Sequence, residues 1–315
     1  MGSLRASGRA SGGGVELTNS AAITTKGTDA PAAFAQSIGG GGGRSNDMSG
    51  DLSMGVVSSR GSLTAIGSDV TFINRGPSVL TTGQNSGGLI AQSIGGGGGY
   101  SGSQTSVDAS GRLGGGTSLI SLQDIIVLNG GDVSLSNRAK VVTKGLQSPG
   151  LIAQSIGGGG GFAGRLSTRD IRFGVHGQAT TNSGDISVTN TGSVATIARG
   201  SSALIAQSVA GGGGFASASD SAVIHLGARK ALMAKAGSVT VNNSNNLETL
   251  GTGAVGLLAQ SIGGGGGFLA DVRRSESFAS SSTLNLSAIN STNSSAGAIS
   301  VNNSAEQIIT RGDGA

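Results

Sequence analysis

The sequence predicts an all-β fold, a repetitive parallel β-helix (solenoid) with glycine-rich corner loops. Three observations carry that reading. First, a string close to L-I-A-Q-S-I-G-G-G-G-G recurs five times, and its glutamines Gln36, Gln92, Gln154, Gln207 and Gln260 are 56, 62, 53 and 53 residues apart. Such a period marks stacked units that bury apolar faces against their neighbours. Second, short segments upstream of each string alternate apolar and polar residues, the signature of a half-buried strand. Third, the composition fits a β surface: Gly is 61 of 315 residues, charged residues 11%, apolar residues 36% and Pro only 3. So little charge does not fit a charged disordered chain, and so little proline excludes collagen-like and proline-rich structures.

Residues 1–12 carry no periodic pattern and are expected to form a disordered N-terminal segment, with 13–315 a single repetitive array. Each unit opens with apolar-x-apolar-x-Asn or a one-residue variant, ending at Asn19, Asn74, Asn137, Asn190, Asn243 or Asn303. In the third copy Val133 and Leu135 should face in, and Ser134 and Ser136 out. A glycine follows each Asn at Gly27, Gly83, Gly145, Gly200, Gly251 and Gly312, and then comes the Gln string. Six copies begin and five reach their glycines, so the sequence reads as a slice of a longer array. Three strands per copy are expected, in the third copy D-V-S-L-S-N, A-K-V-V-T-K-G and G-L-I-A-Q-S-I. Variable spacers such as L-S-M-G-V (52–56) and I-R-F-G-V (171–175) keep some alternation, and only A-R-K-A-L-M-A-K-A-G (228–237) looks helical. Two coil turns per unit, at about 27 residues each, then give about eleven rungs and a rod on the order of 50 Å at roughly 4.8 Å per rung. The asparagines either end their strands in Asx turns or stack as a partial ladder, two rungs apart.

The glycine runs lie at 39–43, 95–99, 157–161, 211–214 and 263–267. Fixing five glycines costs roughly 5–10 kcal/mol of backbone entropy. Five net hydrogen bonds return about 2.5–7.5 kcal/mol. An isolated run therefore balances near zero. The expectation is a partly ordered loop anchored by the aromatic that follows it (Tyr100, Phe162, Phe215, Phe268). Phosphate cradling does not fit, because no run is followed by Lys or opens a helix.

Net charge is +4, and the basic residues are scattered singly or in pairs such as Arg273 and Arg274. With one Tyr and no Trp, a nucleic-acid platform is not expected. There is no Cys, hence no disulfide or thiolate metal site. No apolar run is long enough to span a bilayer as a helix, and the N-terminus shows no signal-peptide core. His176 and His225 occupy different places in their units and read as surface residues. No catalytic, cofactor or metal site is expected. Arg311-Gly312-Asp313 falls on the ordinary repeat glycine, and the N-x-S/T sites at Asn242, Asn290, Asn293 and Asn302 read as Ser/Asn-rich turns.

The combination of V-x-V-x-N, a T-x-G step and L-I-A-Q-S-I-G-G-G-G-G, over residues 13–315, resembles the passenger region of large bacterial autotransporter proteins. The resemblance implies a β-helical stalk or adhesin at the bacterial cell surface or secreted, reached through the outer membrane. Its partners would be host-cell or matrix glycans or proteins, or like chains on other cells. The barrel that exports such passengers is not among these residues. The rival reading from another class is a polysaccharide-acting β-helix enzyme, which would need carboxylates or basic residues clustered on one strand face, whereas the 16 acidic residues read as scattered.

Overall fold

The structure, a computed structural model, describes residues 8–46, 48–49, 63–102, 104–105, 112–113, 126–167, 170–173, 179–219, 223–226, 232–269, 283–285 and 293–314. Among these residues there are strands and turns and no helix, and every strand pairing is parallel. Each sheet takes one strand from each successive unit, in order, so the chain is a parallel β-helix.

Six sheets run along the coil. The lead-in sheet joins Gly8–Ser11, Leu63–Ile66, Ile126–Asn129, Ala179–Asn182, Met233–Lys235 and Ser294–Ser295. The Asn sheet joins Val15–Asn19, Val70–Asn74, Val133–Asn137, Ile186–Asn190, Val239–Asn243 and Ile299–Asn303. The Thr sheet follows with Ile23–Thr25, Ser78–Thr81, Lys140–Thr143, Val194–Thr196, Leu247–Thr249 and Ile308–Thr310. The Gln sheet holds Ala33–Ile38, Leu89–Ile94, Leu151–Ile156, Leu204–Val209 and Leu257–Ile262. The Gly sheet holds Gly42–Ser45, Gly98–Ser101, Gly160–Ser167, Gly213–Ser219 and Gly266–Leu269. A spacer sheet of Arg112–Leu113, Asp170–Phe173, Val223–Leu226 and Thr283–Asn285 completes the turn.

One unit is therefore one turn, not two. Gln92 pairs directly with Gln36 and Gln154, and Asn137 with Asn74 and Asn190. The second half of each glycine run, the spacer and the lead-in segment all add strands to the three expected, so a turn takes a whole unit. Six turns at about 4.8 Å span roughly 24 Å along the axis, half the expected rod. The described end of 228–237 is the strand Met233–Lys235 rather than a helix. The expected disorder of 1–12 fails for Gly8–Ser11, which pairs with Leu63–Ile66. The spacer segment 52–56 lies outside the described residues.

The main core lies between the Asn, Thr and Gln sheets. Val133, Leu135, Val141, Leu151 and Ala153 meet there with their equivalents from the other turns. Val133 and Leu135 are buried and Ser134 is exposed, as the alternation predicts. The Gln strands of turns two to four are buried along their whole length, because their other face is covered too. Ile90, Ile152 and Ile205 pack there against Tyr100, Phe162 and Phe215 of the Gly sheet. A strand covered on both faces reads as a near-continuous apolar run, which is what L-I-A-Q-S-I is.

The glycine runs are ordered, not loops. Gly98, Gly99, Tyr100 and Ser101 pair in register with Gly160, Gly161, Phe162 and Ala163. The last four glycines of every run have positive φ, for example Gly160 at 134° and Gly161 at 140°. A Cβ on Gly160 would lie 1.8 Å from Gly213 O, and one on Gly161 1.9 Å from Gly99 O. Only a residue without Cβ lets the backbones approach this closely. The first place of each run lacks positive φ, and that is the one place where the sequence departs from glycine, at buried Ala210. Stacking on both neighbours supplies the order that an isolated run lacks. The aromatics stack as well: Tyr100–Phe162, Phe162–Phe215 and Phe215–Phe268 have centroids 4.7, 5.4 and 5.5 Å apart, with planes within 20° of parallel.

Candidate functional surface

The residues singled out by the repeat form continuous ladders along the coil, buried in the middle turns and open at the ends, where Asn303 is exposed. Each Asn Nδ2 donates to the Oδ1 of the next turn: Asn19 to Asn74 at 2.7 Å, Asn74 to Asn137 at 2.9 Å, Asn137 to Asn190 at 2.8 Å, Asn190 to Asn243 and Asn243 to Asn303 at 2.7 Å. The same amides close Asx turns. Asn137 Nδ2 donates to Ala139 O at 3.0 Å, and Ala139 N donates to Asn137 Oδ1 at 3.1 Å. Ladder and Asx turn coexist because a primary amide has two donor hydrogens and two acceptor sites, and here all are used. The Gln ladder runs likewise, from Gln36 through Gln92, Gln154 and Gln207 to Gln260, at 2.9, 2.6, 2.7 and 2.7 Å. These residues hold the turns in register.

Corner residues that the sequence reading missed serve the same purpose. Ser155 Oγ donates to Gly131 O at 2.7 Å and accepts from Gly184 N at 2.8 Å, clipping the Gln strand to the approach of two Asn strands. Ser37, Ser93, Ser208 and Ser261 make equivalent clips. Between the Thr and Gln sheets one corner residue per turn is left-handed: Asp29, Asn85, Gln147, Gly200, Gly253 and Gly314, with φ between 49° and 67°. Gly200 thus belongs to this column. In the column of Gly27, Gly83, Gly145, Gly251 and Gly312, turn four instead carries Ala198, on whose carbonyl Gly251 stacks.

The chemistry candidates separate. His225 pairs in register with Arg172 and Asn285, and His176 lies outside the described residues. Arg273, Arg274 and Asn290 also lie outside them. Asn242 and Asn302 sit on Asn-sheet strands rather than in turns. In the R-G-D string, Arg311 Nε contacts Glu248 Oε1 at 3.3 Å, and a Cβ on Gly312 would lie 2.1 Å from Gly251 O. That glycine is a stacking glycine. Three carboxylates do align: Asp69, Asp132 and Asp185 form a column before the Asn sheet. Oδ1 of each accepts the backbone N–H of Asp132, Asp185 or Ser238 in the next turn, at 2.9, 2.7 and 2.7 Å. They act as corner clamps, and the expectation of scattered acids fails at this corner.

No family model, curated protein or solved structure matches the chain. What the molecule offers to a partner is its outside. The outward positions of the Asn sheet are mostly small and polar: Thr71, Ser134, Ser187, Thr240 and Ser300 in one column, Thr18, Ser136, Thr189, Asn242 and Asn302 in the next. Among the described residues no group of three or more His, Cys, Asp or Glu is placed to hold a metal ion, and no helix is long and apolar enough to cross a membrane. Basic residues scattered in the sequence gather at the Thr sheet and its two corners: Lys140 on a strand, Lys26, Arg75, Arg138, Lys144 and Arg199 beside it. Aligning the units in columns is the signal that could have found them.

Proposed function

We propose that this chain is a non-catalytic, surface-displayed stalk or adhesive segment of the autotransporter-passenger type, working at the bacterial cell surface or after secretion through the outer membrane. The observation that supports this is the division of labour between inside and outside. The repeated motif residues are consumed by ladders that hold turn to turn, while the outward positions repeat as shallow arrays. Such a body extends by adding turns and binds by many weak contacts along a face. Its partners are glycans or proteins of a host surface or matrix, or like chains on neighbouring cells. Antibodies raised against the chain should label intact source cells without permeabilisation. Labelling only after permeabilisation would contradict the reading.

Among the described residues, the column of Asp69, Asp132 and Asp185 is an arrangement that favours a polysaccharide-acting enzyme. Incubation with acidic and neutral polysaccharides, followed by assay of new reducing ends, tests it. Release of reducing ends that is lost on replacing these aspartates by Asn would establish the enzyme instead.

A further inference from the structure

We propose that the outer side of the Thr sheet in turns one to four binds an acidic polysaccharide, one bearing carboxylate or sulfate groups along its length. The proposal deepens the adhesive reading and rests on it.

The segments that form this face and its two corners are residues 19–31, 74–88, 137–150 and 190–203. They carry six basic residues, Lys26, Arg75, Arg138, Lys140, Lys144 and Arg199, against a single carboxylate, Asp29, which is 7% exposed. In turns five and six, by contrast, Arg311 meets Glu248 on the same sheet. Among the described residues, Lys26, Arg75, Arg138, Lys140 and Lys144 have no carboxylate within ion-pair distance.

Register concentrates the charge. Asn74 pairs with Asn137, so Arg75 and Arg138 follow at neighbouring positions about 4.8 Å apart, and Lys140 is two residues further on. Like charges placed side by side across strands oppose folding unless something neutralises them. The column allows relief without touching the core, because other turns carry Ser20, Thr191 and Ser244 where these arginines stand, and Ser78 and Ser193 where Lys140 stands. The cluster is therefore not a requirement of the fold.

The face also sorts its partners. All the aromatics with described side chains pack inside: Phe72, Tyr100, Phe162 and Phe215 are buried, and Phe34 and Phe268 pack in the same inner cluster as Tyr100. Among the described residues this face carries no aromatic to stack on bases, so a nucleic acid is disfavoured. Leu80 and Val142, between the basic residues, are half-buried on the sheet. They can cover the apolar face of a sugar ring, while Leu146 and Ile197 at the corner stand exposed, so anionic vesicles are one arm of the test. A basic face with short aliphatic patches fits an extended anionic glycan, whose charges repeat as the turns do.

The test is calorimetric titration of the full chain with dextran sulfate and with alginate, using uncharged dextran as the control. Binding should appear with the charged polymers and weaken steeply with added salt, since exposed charges are screened. The variant R75S/R138S/K140S, built from residues the columns already carry, should lose roughly tenfold or more in affinity while keeping its circular dichroism and melt. The variant R9S/R44S/K235S removes the same net charge elsewhere and should bind like the parent. Equal losses in the two variants, no binding of either charged polymer, or tighter binding to duplex DNA or to anionic lipid vesicles would each overturn the proposal. Any of these alongside positive surface labelling overturns only the glycan assignment. Negative labelling overturns the display reading and leaves the titration result standing.

Discussion

Replacing Gln154 by Leu tests whether the buried amides act as a ladder or as separate contacts. Gln154 is fully buried, accepts from Gln92 Nε2 at 2.6 Å and donates to Gln207 Oε1 at 2.7 Å. Leu keeps the volume and removes both bonds. Gln92 then has a donor, and Gln207 an acceptor, without a partner in a site closed to water. Each orphaned group costs about 1–3 kcal/mol, so the single substitution should destabilise by roughly 2–6 kcal/mol. A second substitution at the adjacent rung, Gln207→Leu, moves one orphan from Gln207 to Gln260 without adding another. Its extra cost should be only about 1 kcal/mol, the net worth of one further bond. Gln36→Leu, at the half-exposed end, leaves one orphan and should cost about half of Gln154→Leu. Urea unfolding followed by circular dichroism measures the parent, the single variants Gln154→Leu, Gln207→Leu and Gln36→Leu, and the double variant. If Gln154→Leu and Gln207→Leu were simply additive in the double variant, the ladder account would be wrong.

Further expectations follow from other columns. Gly161→Ala places a Cβ 1.9 Å from Gly99 O at a φ of 140°, whereas Gly157→Ala places one 2.3 Å from Asn182 O without a left-handed φ, in a column that accommodates Ala210 in turn four. The first should cost about 2–6 kcal/mol from strain and overpacking and the second clearly less, by thermal melts of the two variants. Phe162→Ala removes the middle of the aromatic stack, both of its neighbours lying within 5.4 Å, and should cost about 3–5 kcal/mol in the same denaturation assay. Gln147→Gly should stabilise by about 1 kcal/mol. It relieves a left-handed non-glycine residue and removes a buried Oε1 that lacks a donor, at a column where turns four to six carry glycine; a lower melting temperature would refute this.

The fold class was legible because the strongest signals are local. V-x-V-x-N alternates, and its in–out assignment follows from strand geometry alone. The number of turns was not legible, because half the strands announce themselves only through their neighbours. A glycine run has no side chains to alternate, and Gly160 and Gly161 become strand residues only because Gly98, Gly99, Gly213 and Gly214 lie against them. Lead-in strands such as Ile126–Asn129 are short and differ in sequence from turn to turn. The Asn and Gln positions were legible as repeat positions, yet their ladders depend on one turn per unit, which a two-turn reading places out of contact. The basic face was hidden for another reason: its residues recur in only some turns of each column, and they gather only when four units are laid side by side.

The absence of cysteine gives a clean background for the most direct test of one turn per unit. Ser134 and Ser187 are exposed and paired in register on adjacent Asn strands. As cysteines in the variant S134C/S187C they would stand about 4.8 Å apart, within the 4.4–6.8 Å range a disulfide requires. Ser134 and Thr240 are two rungs apart, roughly 9.6 Å, and beyond that range. Oxidation followed by mass spectrometry should give an intramolecular disulfide in S134C/S187C and none in S134C/T240C. No crosslink in the first variant under conditions that oxidise free thiols would contradict the stacked single-turn coil.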